Sequence, residues 1–130
     1  MTSTFAGATK FNGDISKWDV SSVTSMYRMF YGATSFNSDI SEWDVSRVTN
    51  MGYMFHGATS FNINILSWDV SKVSNMRYMF RDAASFAQTL CGAWRAPIAT
   101  KTEMFAGSAG KLCTATGSFS MKLDLKGRLD

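Results

Sequence analysis

A right-handed α/β solenoid, with one short parallel strand and one short helix to each turn of the coil, is the fold class this sequence predicts. Three observations carry it. The chain repeats with a period of 25 residues, apolar residue types recur at the same places in successive copies, and a glycine recurs where the apolar face ends in all but the fourth copy. A period between roughly 20 and 50 residues marks a unit too small to bury its own apolar face, which therefore stacks on its neighbours. Phe5, Phe30, Phe55, Phe80 and Phe105 are one position seen five times. The other apolar columns are Met29, Met54, Met79 and Met104; Phe11, Phe36, Phe61 and Phe86; Ile15, Ile40, Ile65 and Leu90; Trp18, Trp43 and Trp68; Val20, Val45 and Val70. These columns are the expected core. They divide the chain into a repeat domain over 1–113 and a C-terminal strand or tail over 114–130. The repeat domain holds a partial copy over 1–25, copies over 26–50 and 51–75, and degenerate capping copies over 76–113.

Within a copy, Trp43-Asp44-Val45 alternates apolar, polar, apolar, as a short strand with one buried face does. Parallel stacking would set equivalent strand residues ~4.8 Å apart. Val48, Met51, Met54, Phe55 and Ala58 then follow the three-and-four spacing of one helical face, with Ser46 as its N-cap. Gly57 stands where a left-handed residue would end that helix; Gly7 and Gly32 repeat the stop, and Asp82 replaces it in the fourth copy. Further on, Lys101 takes the place of Met26, Met51 and Met76, and Ser108 enters the Ala column. Polar residues in core columns mark a cap. Beyond Cys113, the run from Phe119 to Lys126 alternates apolar and polar, as a strand that closes the sheet edge or begins a following domain. At the other end Met1, Ser3 and Thr4 enter partway through a helix, so the N-terminal face is expected to be uncapped and open to homodimerisation.

At 130 residues and 45% apolar, the chain suffices for one core and not for two ordinary domains. The net charge of +3 is not gathered into a Lys/Arg stripe, which argues against nucleic acid. No apolar run approaches the length of a bilayer span, and no basic-then-apolar leader opens the chain. A signal peptide already removed, or excision from a longer protein, accounts for the missing leader.

The string Met-Phe-x-Gly-Ala-Thr-Ser-Phe-Asn-x-x-Ile-x-x-Trp-Asp-Val-Ser-x-Val recurs nearly complete three times over residues 1 to about 113. It resembles a bacterial surface-protein repeat family of unknown function, a variant of the BspA-like leucine-rich repeats with units of 25 or 26 residues. The resemblance implies a leucine-rich-repeat-like solenoid from a secreted or cell-surface protein, with adhesion or recognition as its role and no established chemistry. Arrays of this kind often end with a Cys before the last Trp and another after the last Met-Phe, which matches Cys91 and Cys113. The resemblance thus implies a C-terminal disulfide, the alternative being two buried free thiols. A disulfide would place the protein in an oxidising compartment.

Copy-variable positions are where specificity would reside, because the shared positions already pack. They are Lys17, Glu42 and Ser67 beside the strands; Ser22, Arg47 and Lys72 after them; Arg28, Tyr53 and Tyr78 on the helix; and Tyr31, His56 and Arg81 at its end. Aromatic and Arg side chains of this kind are enriched at interfaces. An ordinary solvated surface is the competing reading. Asp19, Asp44 and Asp69 form one acidic column; Asp14 and Asp39 begin another, which Asn64 interrupts. Each Asp is expected to accept backbone N–H bonds two residues ahead, in an Asx turn. A ladder of calcium sites is the alternative, with calcium as the one cofactor it would bring. Trp18, Trp43 and Trp68 share the phase of the Val column and should point inward; an outward row would instead offer a carbohydrate platform. Thr9, Thr34 and Thr59 with Lys10, Ser35 and Ser60 make a hydroxyl-rich ledge, read as a solvated loop, with ice binding as the alternative. His56 is the sole His and has no nucleophile or orienting acid of its own, so catalysis is not expected, nor is a zinc site. The expected function is a non-catalytic protein-binding or adhesion module that recognises a protein or cell-surface ligand. A calcium- or carbohydrate-binding solenoid and a self-assembling scaffold are the alternatives.

Overall fold

Phenylalanine at two positions of each copy organises the interior of the computed structural model, which describes residues 1–96 and 98–114. Phe30, Phe55 and Phe80 are fully buried and stack on one another with ring centroids 5.5 Å apart. Phe5 and Phe105 continue the row at the same spacing. Phe36, Phe61 and Phe86 form a second buried row at 6.0 and 5.8 Å, and each packs on the first-row ring of its own copy at 4.0, 3.9 and 4.0 Å. The Met, Ile and Val columns fill the space around them, from Met29 to Met104 and Ile15 to Leu90. Fully burying each such side chain stabilises by ~1.5–3 kcal/mol against leaving it exposed.

The backbone follows the same register. Met26, Arg28, Phe30 and Gly32 donate their N–H groups to the carbonyls of Asn50, Gly52, Met54 and His56. Met51, Tyr53, Phe55 and Gly57 do the same toward Asn75, Arg77, Met79 and Arg81, and Met76, Tyr78, Phe80 and Asp82 toward Thr100, Thr102, Met104 and Ala106. Parallel bridges join Ser25 to Asn50, Asn50 to Asn75 and Asn75 to Thr100. Equivalent residues of successive copies therefore meet, in ring stacking and in backbone bonding alike.

The local structure differs from the expected helix and strand. Between Val48 and Ala58, where the apolar spacing suggests a helix, the chain makes a succession of tight turns. Met54, His56 and Ala58 bond back to Met51, Tyr53 and Phe55, while the N–H groups in between go to the next copy. Among the described residues there is no α-helix, only the 3₁₀ helix Gly92–Arg95. The reason is hydrogen-bond accounting. So short a helix strands the N–H and C=O groups at both its ends, whereas handing alternate N–H groups to a neighbouring copy satisfies them. Tyr53 and Gly57, at φ 56° and 71°, reverse the chain where a helix would continue. Trp43–Val45 likewise forms no ladder, because the Trp43 N–H closes a turn onto Ile40. The described strands are β1, Thr89–Leu90, and β2, Lys111–Leu112, paired in parallel with Thr89 opposite Lys111 and Leu90 opposite Leu112.

The glycine column stacks from copy to copy at ordinary contact distance and is set by its backbone conformation. A Cβ on Gly57 would lie 3.7 Å from the Gly32 Cα, and φ stays positive at Gly7, Gly32, Gly57 and Gly107. Asp82 occupies the column at φ 58°, a conformation that costs a non-glycine residue ~1–3 kcal/mol.

At the C-terminal end, β1 leads into Cys91 and β2 into Cys113, which are joined by a disulfide with Cα atoms 5.0 Å apart. Lys101 fits its former Met position because its ammonium donates to the carbonyls of Ala96 and Ala99, and burial lowers its pKa. The alternating run from Phe119 to Lys126, expected as a strand, lies outside the described residues.

Candidate functional site

Three lengthwise rows of polar side chains compete for the role of binding surface, and their hydrogen bonds separate them. In the acidic row, Asp19, Asp44 and Asp69 each accept the backbone N–H and the hydroxyl of Ser21, Ser46 and Ser71, the hydroxyl bonds measuring 2.6 Å. Asp39 does the same with Ser41, and Asp14 accepts the Ser16 N–H. Asn64 makes the equivalent turn with the Leu66 N–H. These carboxylates are exposed, and their pKa values lie below the ordinary one. The Ser hydroxyl bond is the largest cause and the Ser N–H the second; Lys17, Arg47 and Lys72 add a smaller attraction at Asp14, Asp44 and Asp69. Lys17, Arg47 and Lys72 thus belong to the acidic face, and Glu42 is exposed. A shallow hollow lined by Ser41, Asn64, Leu66 and Ser67 lies on the Asp/Asn turns. Among the described residues no three His, Cys, Asp or Glu side chains gather as a metal site.

A pH prediction follows from these shifts. A carboxyl whose folded pKa is depressed contributes stability that is present above its unfolded pKa, and that is lost as pH falls through the folded value. Thermal melting should fall slightly between about pH 7 and pH 5, where His56 with its lowered pKa is protonated more readily in the unfolded chain, and decline further below about pH 4, since unperturbed Asp titrates near there. Replacing Asp44 and Asp69 by Asn, which keeps the turn acceptor as Asn64 does, should shallow that decline. An unchanged melting temperature below about pH 4 would contradict the assignment.

The hydroxyl ledge is inter-copy hardware. Ser35 and Ser60 donate to the Thr9 and Thr34 carbonyls at 2.7 Å, and Thr34 and Thr59 reach the same two carbonyls at 3.2 and 3.3 Å. Asn12, Asn37 and Asn62 accept the N–H groups of Asn37, Asn62 and Ala87 beside them. Trp43 and Trp68 are 4% and 3% exposed and donate their indole N–H groups to Ile15 and Ile40 of the preceding copy, so neither offers a ring face to a sugar. The inward expectation fails at Trp18, which is 42% exposed and packs on Phe5.

The third row is different. Tyr31 stacks on His56 at 4.8 Å, Tyr53 on Tyr78 at 4.7 Å, and Tyr53 also meets His56 at 5.6 Å. Tyr27 packs edge-on against Tyr53. Arg28 lies 4.3 Å over the Tyr31 ring, and Arg81, 5.7 Å from the Tyr78 ring, pairs with Glu103 at 3.4 Å. The structure thus brings Arg28, Tyr31, Tyr53, His56, Tyr78 and Arg81 together in one half-buried stripe. Burial lowers the His56 pKa; Asp82 raises it by less, and Arg81 adds a smaller lowering. No phenol hydroxyl of the stripe makes a hydrogen bond among the described residues, and the Arg28 Nε is buried without a partner.

Two features of the stripe escape sequence reading. Tyr27 belongs to it, and a column alignment that included Thr2, Tyr27, Gly52, Arg77 and Thr102 would have flagged its variation. Ser3, Arg28, Tyr53, Tyr78 and Glu103 all adopt positive φ, between 47° and 58°. Bulky residues there give no hint of a left-handed backbone. Such strain persists only where the surroundings enforce it, and it clusters at functional sites.

Tandem copies that meet residue for residue, closed by a disulfide, define the class: a repeat protein. The chain belongs to the family described as Mycoplasma protein of unknown function, DUF285, whose family model matches residues 1–116. No curated protein and no solved structure matches it. Among the described residues no helix is long and apolar enough to cross a membrane.

Proposed function

We propose that the chain is a right-handed leucine-rich-repeat-like solenoid of the BspA-related type, and that it serves as a non-catalytic binding or adhesion module of a secreted or cell-surface protein. Recognition runs through the Tyr/His/Arg stripe. The observation that carries this is selective satisfaction: each acidic turn bonds one carboxylate oxygen, and the ledge its hydroxyls, within the chain, while among the described residues the stripe's phenol hydroxyls and the Arg28 Nε make no hydrogen bond. Tyr and Arg are the side chains that most often carry binding energy. The disulfide supports an oxidising location.

Labelled chain applied to fixed epithelial cell layers tests the reading. Saturable binding should be lost in Tyr53→Ser/Tyr78→Ser and kept in Asp44→Asn/Asp69→Asn. Absence of saturable binding, or equal loss in both variants, would overturn it. A second reading, self-association through the N-terminal face, is favoured by the exposure of Trp18 beside half-buried Phe5 and Phe11. Light scattering that finds only monomer at high concentration removes it.

A further inference from the structure

We infer that the stripe binds a linear acidic polysaccharide laid along the copies, with a carboxylate or sulfate on Arg28 and sugar hydroxyls on the phenols. The inference rests on the recognition reading above and adds the ligand class. Arg28 has no acidic partner among the described residues; both ion pairs there belong to Arg81. Its guanidinium is held in place by the Tyr31 ring, and its Nε is buried with no acceptor. A cation pinned and unpaired in this way is an oxyanion site, and a guanidinium matches carboxylate or sulfate oxygens by its paired donors.

The rest of the stripe argues for a polyhydroxylated polymer. Tyr31 and His56 stack at 12°, and Tyr53 and Tyr78 at 25°, so their faces are spent on one another and their hydroxyl-tipped edges remain for a ligand. Ring edges carry the positive end of the aromatic quadrupole, and phenols both donate and accept. The exposed large apolar side chains among the described residues, Trp18, Leu66 and Ile98, are not members of the stripe. A docked amphipathic helix, which needs apolar anchors, therefore finds none here.

Spacing points the same way. Stripe rings of successive copies are 4.7 and 4.8 Å apart, close to the repeat of sugar units in an extended glycan. Same-side residues of an extended peptide repeat every ~6.6–6.8 Å, so two steps along the stripe would put it roughly 4 Å out of register. At the far end, Arg81 is held by Glu103 and Asp82 in solvent-exposed pairs that an incoming anion can exchange.

Isothermal titration of the whole chain with hyaluronan hexasaccharide, heparin hexasaccharide, cellohexaose and hexaglutamate tests this. At least one acidic glycan should bind, its identity distinguishing carboxylate from sulfate, and cellohexaose and hexaglutamate should not. Arg28→Gln should weaken binding about tenfold, and Tyr53→Phe/Tyr78→Phe, which keeps the ring stack, about threefold. Arg47→Gln on the acidic face should change nothing, and all variants should melt as the parent does. Binding of cellohexaose or hexaglutamate as tight as that of the acidic glycans would overturn the inference, as would equal loss in Arg47→Gln. Stripe-dependent binding to cells without binding to either acidic glycan would also overturn the ligand class, while leaving the recognition reading standing.

Discussion

Phe55→Ala should come close to unfolding the protein, at a cost of roughly 3–5 kcal/mol against a total stability of ~5–15 kcal/mol for a domain of ordinary kind. The ring is fully buried between Phe30 and Phe80, each 5.5 Å away, and lies on Phe61 at 3.9 Å. Removing it opens a cavity that borders two inter-copy interfaces at once. In a repeat array, stability is a sum of unit and nearest-neighbour contributions, so a central loss counts twice. Phe5→Ala offers the internal control. Phe5 is half-buried, with a single neighbouring copy at Phe30, and its loss should cost about half as much. Urea titration should show a midpoint lower by about 2 M for Phe55→Ala. A loss no greater than that of Phe5→Ala would contradict a core shared between copies.

Breaking the disulfide should have the next largest effect. Cys91 and Cys113 are separated by 22 residues, and closing a loop of that order stabilises by ~3 kcal/mol through the unfolded chain. The bond also holds the end of the array. Leu90 and Trp94, 0% and 1% exposed, lie beside Cys91, and β2 follows Gly110 into Cys113. Without the cross-link, β2 and the capping copy are free to fray, exposing Phe86 and Phe105. The double variant Cys91→Ser/Cys113→Ser should melt roughly 10 °C lower, and dithiothreitol should lower the parent by the same amount. An unchanged melting temperature under reduction would mean that Leu90 and Trp94 hold the cap by packing alone.

Much of the interior was legible because a repeated apolar residue has one physical job. The Phe30, Phe36, Met29, Ile40 and Val45 columns could be read as core from recurrence alone, and all their members among the described core positions are buried except Thr4 and the half-buried Phe5, Phe11 and Phe105. The Asp-Val-Ser step likewise announced its turn, since a short carboxylate two residues before an N–H closes a local ring whatever surrounds it. What sequence reading missed was non-local. Val48 to Ala58 has the spacing of a helical face, yet the same spacing buries the same residues when alternate N–H groups bond to another copy. Periodicity reports which side chains face inward, not where the backbone bonds go. Trp18 shares its residue type and phase with Trp43 yet is 42% exposed, so phase alone does not decide burial.

The candidate stripe divides in the same way. Arg28, Tyr31, Tyr53, His56, Tyr78 and Arg81 stand out in the sequence as variable positions, because nothing in the packing demands them. That Lys17, Arg47 and Lys72 attend the acidic turns while Tyr27 joins the stripe depends on distances of a few ångströms across copies.

By itself, then, the sequence determined the 25-residue unit, the columns that are buried and the family to which the chain belongs, since each is a property of recurrence. Tertiary structure decided the turns in place of a helix, the left-handed column that carries Arg28, Tyr53 and Tyr78, and which polar groups are left over for a partner. The physical reason is that a polar group's availability depends on every donor and acceptor within reach, and most of those within reach here belong to the copy above or below.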